Sequence, residues 1–200
     1  MKNISRLVVC VGFAVASLGA SAAAQATTGI VRVTIQTEIG NIELAVDSAR
    51  APVSAANFLR YVDAGRYEGG RFHRTVTMAN QPDNPVKIEV IQWSAAPRNG
   101  QEAFPPVQLE RTNVTGIKHL DGTISMARAG VSSATSDVFI CIGDQPELDF
   151  AGKRNPDGQG FAAFGRVTSG MEIVRRIQAS PARGQTLDPP VRITNIVRVR

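Results

Sequence analysis

Cysteine is almost missing from this chain of 200 residues, which has only Cys10 and Cys141. Cys10 lies in a leader segment that reads as removable, so Cys141 is left alone and no internal disulfide can form, even in an oxidising compartment. Histidine is equally scarce. His73, His119 and Cys141 fall at no zinc-ligand spacing, so no metal and no cofactor is expected, although sites made only of carboxylates stay open. A Gly-x-Ser-x-Gly elbow is absent, which disfavours a serine hydrolase even though two histidines are available. The Gly158-Gln159-Gly160 stretch lacks a Gly-Lys-Ser/Thr ending and precedes a strand, so it reads as a turn and not a phosphate loop. Repeats and long low-complexity tracts are also absent. The formal charge is +5, or +3 once Lys2 and Arg6 are removed, and the basic residues form no run with interleaved aromatics. No nucleic-acid partner is expected.

What is present begins with an address. Lys2 and Arg6 precede an apolar stretch from Leu7 to Leu18, followed by Gly19-Ala20-Ser21-Ala22-Ala23-Ala24. This is the pattern of a secretory signal peptide over 1–24, with cleavage as late as 26 also satisfying the small-residue rule. The alternative, a retained anchor, is disfavoured because the stretch is short for a span and no second one follows. A periplasmic or secreted protein without stable membrane insertion is expected, with one domain over 30–200.

Strand signals dominate that domain. Val31, Val33 and Ile35 alternate with polar residues, Gly40-Asn41 makes a turn, and Ile42, Leu44 and Val46 resume the alternation, which predicts a hairpin. Further strands are expected over 72–77, 86–92, 122–127, 138–142, 161–167 and 192–199, separated by Gly, Pro, Asn and Asp. Surface loops are expected over 80–85, 99–106 and 152–160. Eight short strands suggest a mainly β fold, a closed barrel or a sandwich. Two helices are expected. One is capped by Ser54, with Ala55, Phe58, Leu59 and Val62 on one face and Gly65 as its stop. The other opens at Ser169 or Gly170, carries Met171, Val174 and Ile177, and ends before Ser180-Pro181.

One ordered set of residues goes further: Phe72-His73-Arg74, Gln92, Ser125-Met126-Ala127, Ser136-Asp137-Val138-Phe139-Ile140, Leu148-Asp149 and Phe164-Gly165-Arg166-Val167. Together with Asn57-Phe58 and Gly170-Met171, this set resembles the cyclophilin family from about Val31 to the C-terminus. The resemblance implies a closed eight-stranded antiparallel barrel capped by two α-helices. It also implies peptidyl-prolyl cis/trans isomerisation of proline-containing peptides and of unfolded or folding exported proteins, by a chain expected to be a monomer. No bond is made or broken in that reaction; the barrier is about 20 kcal/mol of amide resonance. By resemblance Arg74 donates to the imide nitrogen as its lone pair localises, Gln92 hydrogen-bonds beside it, and Phe72, Val90, Phe139 and Leu148 wall the proline pocket. The backbone at Ala127 and Arg128 would pair with extended substrate.

The chain also departs from the family. Glu89 stands where an aromatic is usual, Trp93-Ser94 where glycines follow the glutamine, Asp137 for glutamine, Val138 for phenylalanine, Glu147 for tryptophan and Phe161 for histidine. Extra residues that include Gln81-Pro82-Asp83-Asn84-Pro85 separate Arg74 from Gln92. Weak cyclosporin binding is expected. Two competing readings stay open: a weakly catalytic or non-catalytic chaperone that grips proline segments, and a carrier using the barrel lumen. Retention of Arg74 and Gln92 argues against the first. Alternating large apolar residues, which fill a barrel, argue against the second.

Overall fold

The computed structural model describes residues 29–96 and 103–199. The expected leader over 1–24 lies outside the described residues, as does much of the loop expected over 99–106. Alternation makes the first hairpin. In β1 (Ile30–Thr37) and β2 (Gly40–Asp47), Val33 and Ile35 stand opposite Leu44 and Ile42, and all four are buried. The strands that follow are β3 (Arg71–Val76), β4 (Val90–Ser94), β5 (Thr123–Met126), β6 (Val138–Cys141), β7 (Ala162–Ser169), β8 (Ala182–Arg183) and β9 (Thr186–Arg198). All pairings are antiparallel, in the order β1-β2-β7-β5-β6-β4-β3-β9-β8. β9 also pairs with β1, Ile196 opposite Ile35, so eight strands close a barrel and the two-residue β8 is an appendage. Closure leaves no free edge among those eight.

Helix α1 (Pro52–Asp63) does not start as expected. Its N-cap is Ala51, and Ser54 lies inside the first turn. Two orphan N–H groups, those of Val53 and Ser54, are instead taken by the Glu110 carboxylate at 3.0 and 2.7 Å. The helix buries Ala55, Phe58, Leu59 and Val62, with the Phe58 ring 5.4 Å from that of Phe164 on β7. Gly65 (φ +62°) supplies the left-handed exit. α2 (Thr112–Thr115) is a single turn that the sequence pattern did not announce, and α3 (Met171–Gln178) follows Gly170 and buries Ile173, Val174 and Ile177.

Two strands differ from expectation. β4 begins at Val90, because the buried side chain of Gln81 occupies the backbone of Ile88, donating to its carbonyl (2.7 Å) and accepting from its N–H (3.3 Å). β9 starts at Thr186 and runs through Pro189 and Pro190, residues that argue against a strand when read locally.

The buried apolar residues form two clusters divided by the sheet. The larger fills the barrel and the space beneath α1 and α3. The smaller comprises Val76, Ile88, Val90, Phe139, Cys141 and Leu148. Alternation sorts them: on β6, Val138 and Ile140 join the barrel interior while Phe139 and Cys141 join the outer cluster. No helix among the described residues is long and apolar enough to cross a membrane.

Candidate active site

A cavity of about 520 Å³ opens over the outer cluster. Ile88, Val90, Phe139, Leu148 and Phe161 make it apolar, while Arg74, Gln92, Ala127, Arg128 and Asp137 are among its other lining residues. Of the residues expected at the site, the structure thus gathers Arg74, Gln92, Val90, Ala127, Arg128, Phe139 and Leu148 round one opening. Phe72 is the exception. It is fully buried in the barrel interior, its ring 5.3 Å from that of Trp93. The reason is a β-bulge. Phe72 pairs with Trp93 and Arg74 with Gln92, so His73 is an extra residue in β3. Without it, Phe72 and Arg74, two apart, would share a face; with it, the first points inward and the second toward the cavity.

Among the described residues, the guanidinium of Arg74 is held by amide oxygens alone. Its Nε and Nη2 donate to Gln185 Oε1 at 3.0 and 2.6 Å, and its Nη1 donates to Gln92 Oε1 at 3.0 Å. Of the five N–H groups of arginine, these three bonds leave two without a partner among the described residues. Burial lowers the Arg74 pKa from its ordinary value, yet guanidinium remains the charged form at neutral pH. Gln92 Nε2 donates in turn to Asp137 Oδ1 (3.1 Å), which lies 4.0 Å from His73 Nε2.

The apolar floor is rigidly backed. Phe139 meets Phe161 edge-on at 5.5 Å and stacks on His119 at 6.0 Å. His119 is fixed between Asp149 (Nδ1 to Oδ1, 2.8 Å) and Ser125 (Nε2 to Oγ, 2.9 Å). Burial pushes the His119 pKa down against the opposing pull of Asp149, so the ring is neutral, Nδ1–H donating to the carboxylate and Nε2 accepting from the hydroxyl. Burial would raise Asp149, but the hydrogen bonds from the His119 ring and backbone, with the nearby Lys118 charge, outweigh it and hold the carboxyl below its usual value. The trio has the spacing of a nucleophile, base and orienter. Ser125 is nonetheless fully buried, so the trio acts as a strut beneath Phe139 that no substrate can reach. Under the same floor, burial pushes the Cys141 thiol well above its ordinary value and leaves it protonated. Among the described residues no group of three His, Cys, Asp or Glu could hold a metal ion.

The family model for cyclophilin type peptidyl-prolyl cis-trans isomerases matches residues 32–198. The chain belongs to the cyclophilin family. It is 38% identical over 175 residues to peptidyl-prolyl cis-trans isomerase A of Dickeya dadantii, covering 87% of this chain and 85% of that one. A peptidyl-prolyl cis-trans isomerase of Streptomyces antibioticus is 33% identical over 163 residues, covering 80% and 91% of the two chains. A Cryptosporidium parvum cyclophilin structure superposes with TM-score 0.69 at 19% identity, covering 86% of this chain and 98% of that one, a likeness of fold. That protein was also solved in the presence of the dipeptide Ala-Pro.

Several lining residues of this cyclophilin escaped sequence reading. Ile88 could have been found, since Ile88, Val90 and Gln92 alternate along one face. Glu89, expected in the aromatic's place, turns instead to accept from Gln178 Nε2 (3.2 Å). Gln185 carried no signal, because it reaches Arg74 across 111 residues from the β8–β9 turn. Arg128 adds a side-chain role to its expected backbone one. It donates to Gly160 O (2.8 Å) and to both oxygens of Asp157 (2.7 and 2.8 Å), tying the loop after Leu148 to the cavity rim.

Proposed function

We propose that this cyclophilin accelerates rotation about Xaa-Pro bonds by seating the proline ring over Val90, Phe139 and Leu148 and donating from Arg74 to the imide nitrogen. One observation carries the reading: the Arg74 guanidinium, held by Gln185 and Gln92 with two N–H groups unspent, borders the same cavity as the apolar floor. A planar imide shares its nitrogen lone pair with the carbonyl, whereas a twisted one localises it. A donor at that nitrogen therefore binds the transition state more tightly than either ground state. A ten-thousandfold acceleration needs about 5.4 kcal/mol, and a hydrogen bond from a charged donor supplies roughly 1.5 to 3 kcal/mol. The remainder comes from orientation, with the ring immobilised while the preceding carbonyl swings. Gln92 and Gln185 position the donor.

The test is NMR exchange between cis and trans forms of a short Ala-Pro peptide, comparing wild type with Arg74→Ala. Wild type is expected to accelerate exchange and the variant to lose at least about tenfold. Equal rates remove Arg74 from the mechanism, and peptide bound without acceleration by either protein favours a chaperone. The leader pattern supports action on folding exported proteins in a bacterial periplasm or outside the cell. Fractionation of cells expressing the chain with and without residues 1–24 checks this, and retention of both forms in the cytoplasm refutes it.

A further inference from the structure

Arg154 also lines the cavity, and its hydrogen bonds leave its charge unanswered. Its Nη1 donates to Gln81 Oε1 (2.7 Å) and to Val86 O (2.6 Å), both neutral acceptors, while its backbone N–H is fixed on Glu147 O (3.1 Å). No carboxylate among the described residues forms an ion pair with it or with Arg74. The third cavity arginine, Arg128, is already neutralised by Asp157. Arg154 and Arg74 line the same cavity, and burial together with the charge of Arg74 lowers the Arg154 pKa. The one carboxylate in the lining, Asp137, is engaged by Gln92 near the Trp93 end of β4, whereas Arg154 is anchored to the segment at the Ile88 end. Arg154 and Arg74 thus bring two cations without a carboxylate partner to an opening whose single acidic lining residue is engaged by Gln92.

We infer that Arg154 is a specificity-determining residue, and that the site prefers substrates carrying an Asp or Glu side chain next to the proline, seated between Arg154 and Arg74. This rests on the reading of the cavity as the proline site. A carboxylate there meets two repelling cations, relieves their repulsion, and finds N–H groups on Arg154 Nε and Nη2 that have no partner among the described residues. An ammonium in the same place meets like charge. Because the side chain is held by Gln81 and Val86 before substrate arrives, little rotamer freedom is lost on binding.

The experiment uses short peptides with Glu, Ala or Lys immediately before, and in a second set immediately after, the proline. Binding is read by NMR titration and turnover by cis/trans exchange, in low and in 0.5 M salt. For wild type, Glu is expected to exceed Ala by at least about threefold in one of the two orders, with Lys weakest. The preference should shrink with salt, a readout that needs no variant. Arg154→Gln should abolish the Glu preference and Arg154→Glu should reverse it toward Lys. Equal treatment of Glu, Ala and Lys by wild type in both orders, or a Glu preference that survives Arg154→Gln, overturns the inference. Acceleration without charge preference would leave isomerisation standing and sink only this proposal. A binding preference without acceleration would do the opposite.

Discussion

A single residue decides on which side of the sheet Arg74 stands. His73 is the extra residue of a bulge, and it separates the fates of its neighbours: Phe72 goes to the barrel interior and Arg74 to the cavity. Phe72→Ala should cost about 3 to 5 kcal/mol of stability by chemical denaturation, the usual result of emptying a buried aromatic site. Exchange rates per folded molecule should change little. Leu148→Ala, in the cavity floor, should raise KM for peptide, and the contrast fails if Phe72→Ala does the same. Most of the site was legible as an ordered set of residues from Arg74 to Leu148. The bulge was not, because a period of two carries no mark for an inserted residue whose neighbours are all compatible with a strand.

At the scale of elements, the first hairpin and the apolar faces of α1 and α3 follow from residue spacing, since each is written within one short run of the chain. Features that rest on distant partners were hidden. Ser54 looked like a local cap, but the first turn of α1 is capped by Glu110 from more than fifty residues away. Glu110→Ala should therefore destabilise the protein by about 1 kcal/mol, read as a lower denaturation midpoint with unchanged slope. Ser54→Ala, which removes a hydroxyl without a hydrogen-bond partner among the described residues, should cost less. The same logic hid Gln81, which holds Ile88 in the manner of a missing strand partner, and Gln185, which reaches Arg74 from another hairpin. Side-chain amides of this kind are common in any sequence, and nothing local tells the structural ones from the rest.

For the molecule as a whole, the buried His119 links folding to pH. Its folded pKa lies below the ordinary value of 6.5, chiefly through burial, so the unfolded chain binds a proton that the native state refuses. The stabilisation is complete above about pH 6.5 and is lost progressively as pH falls below it. Asp149 adds a second loss at lower pH, as it is protonated below the ordinary carboxylate value of 3.8. Thermal unfolding of wild type should show Tm falling between pH 7 and 5. His119→Gln, though less stable throughout, should show a flatter slope in that window, and identical slopes would remove His119 as the cause.

The division of apolar residues into two clusters has a consequence for descent as well as for folding. Most buried apolar residues lie in the cluster that fills the barrel, while the cavity is lined from the far side of the same strands by residues such as Val90 and Phe139. Side chains that face the cleft can therefore be exchanged with little disturbance to the packing inside the barrel. The closed sheet works as a bulkhead between two compartments that selection can edit separately.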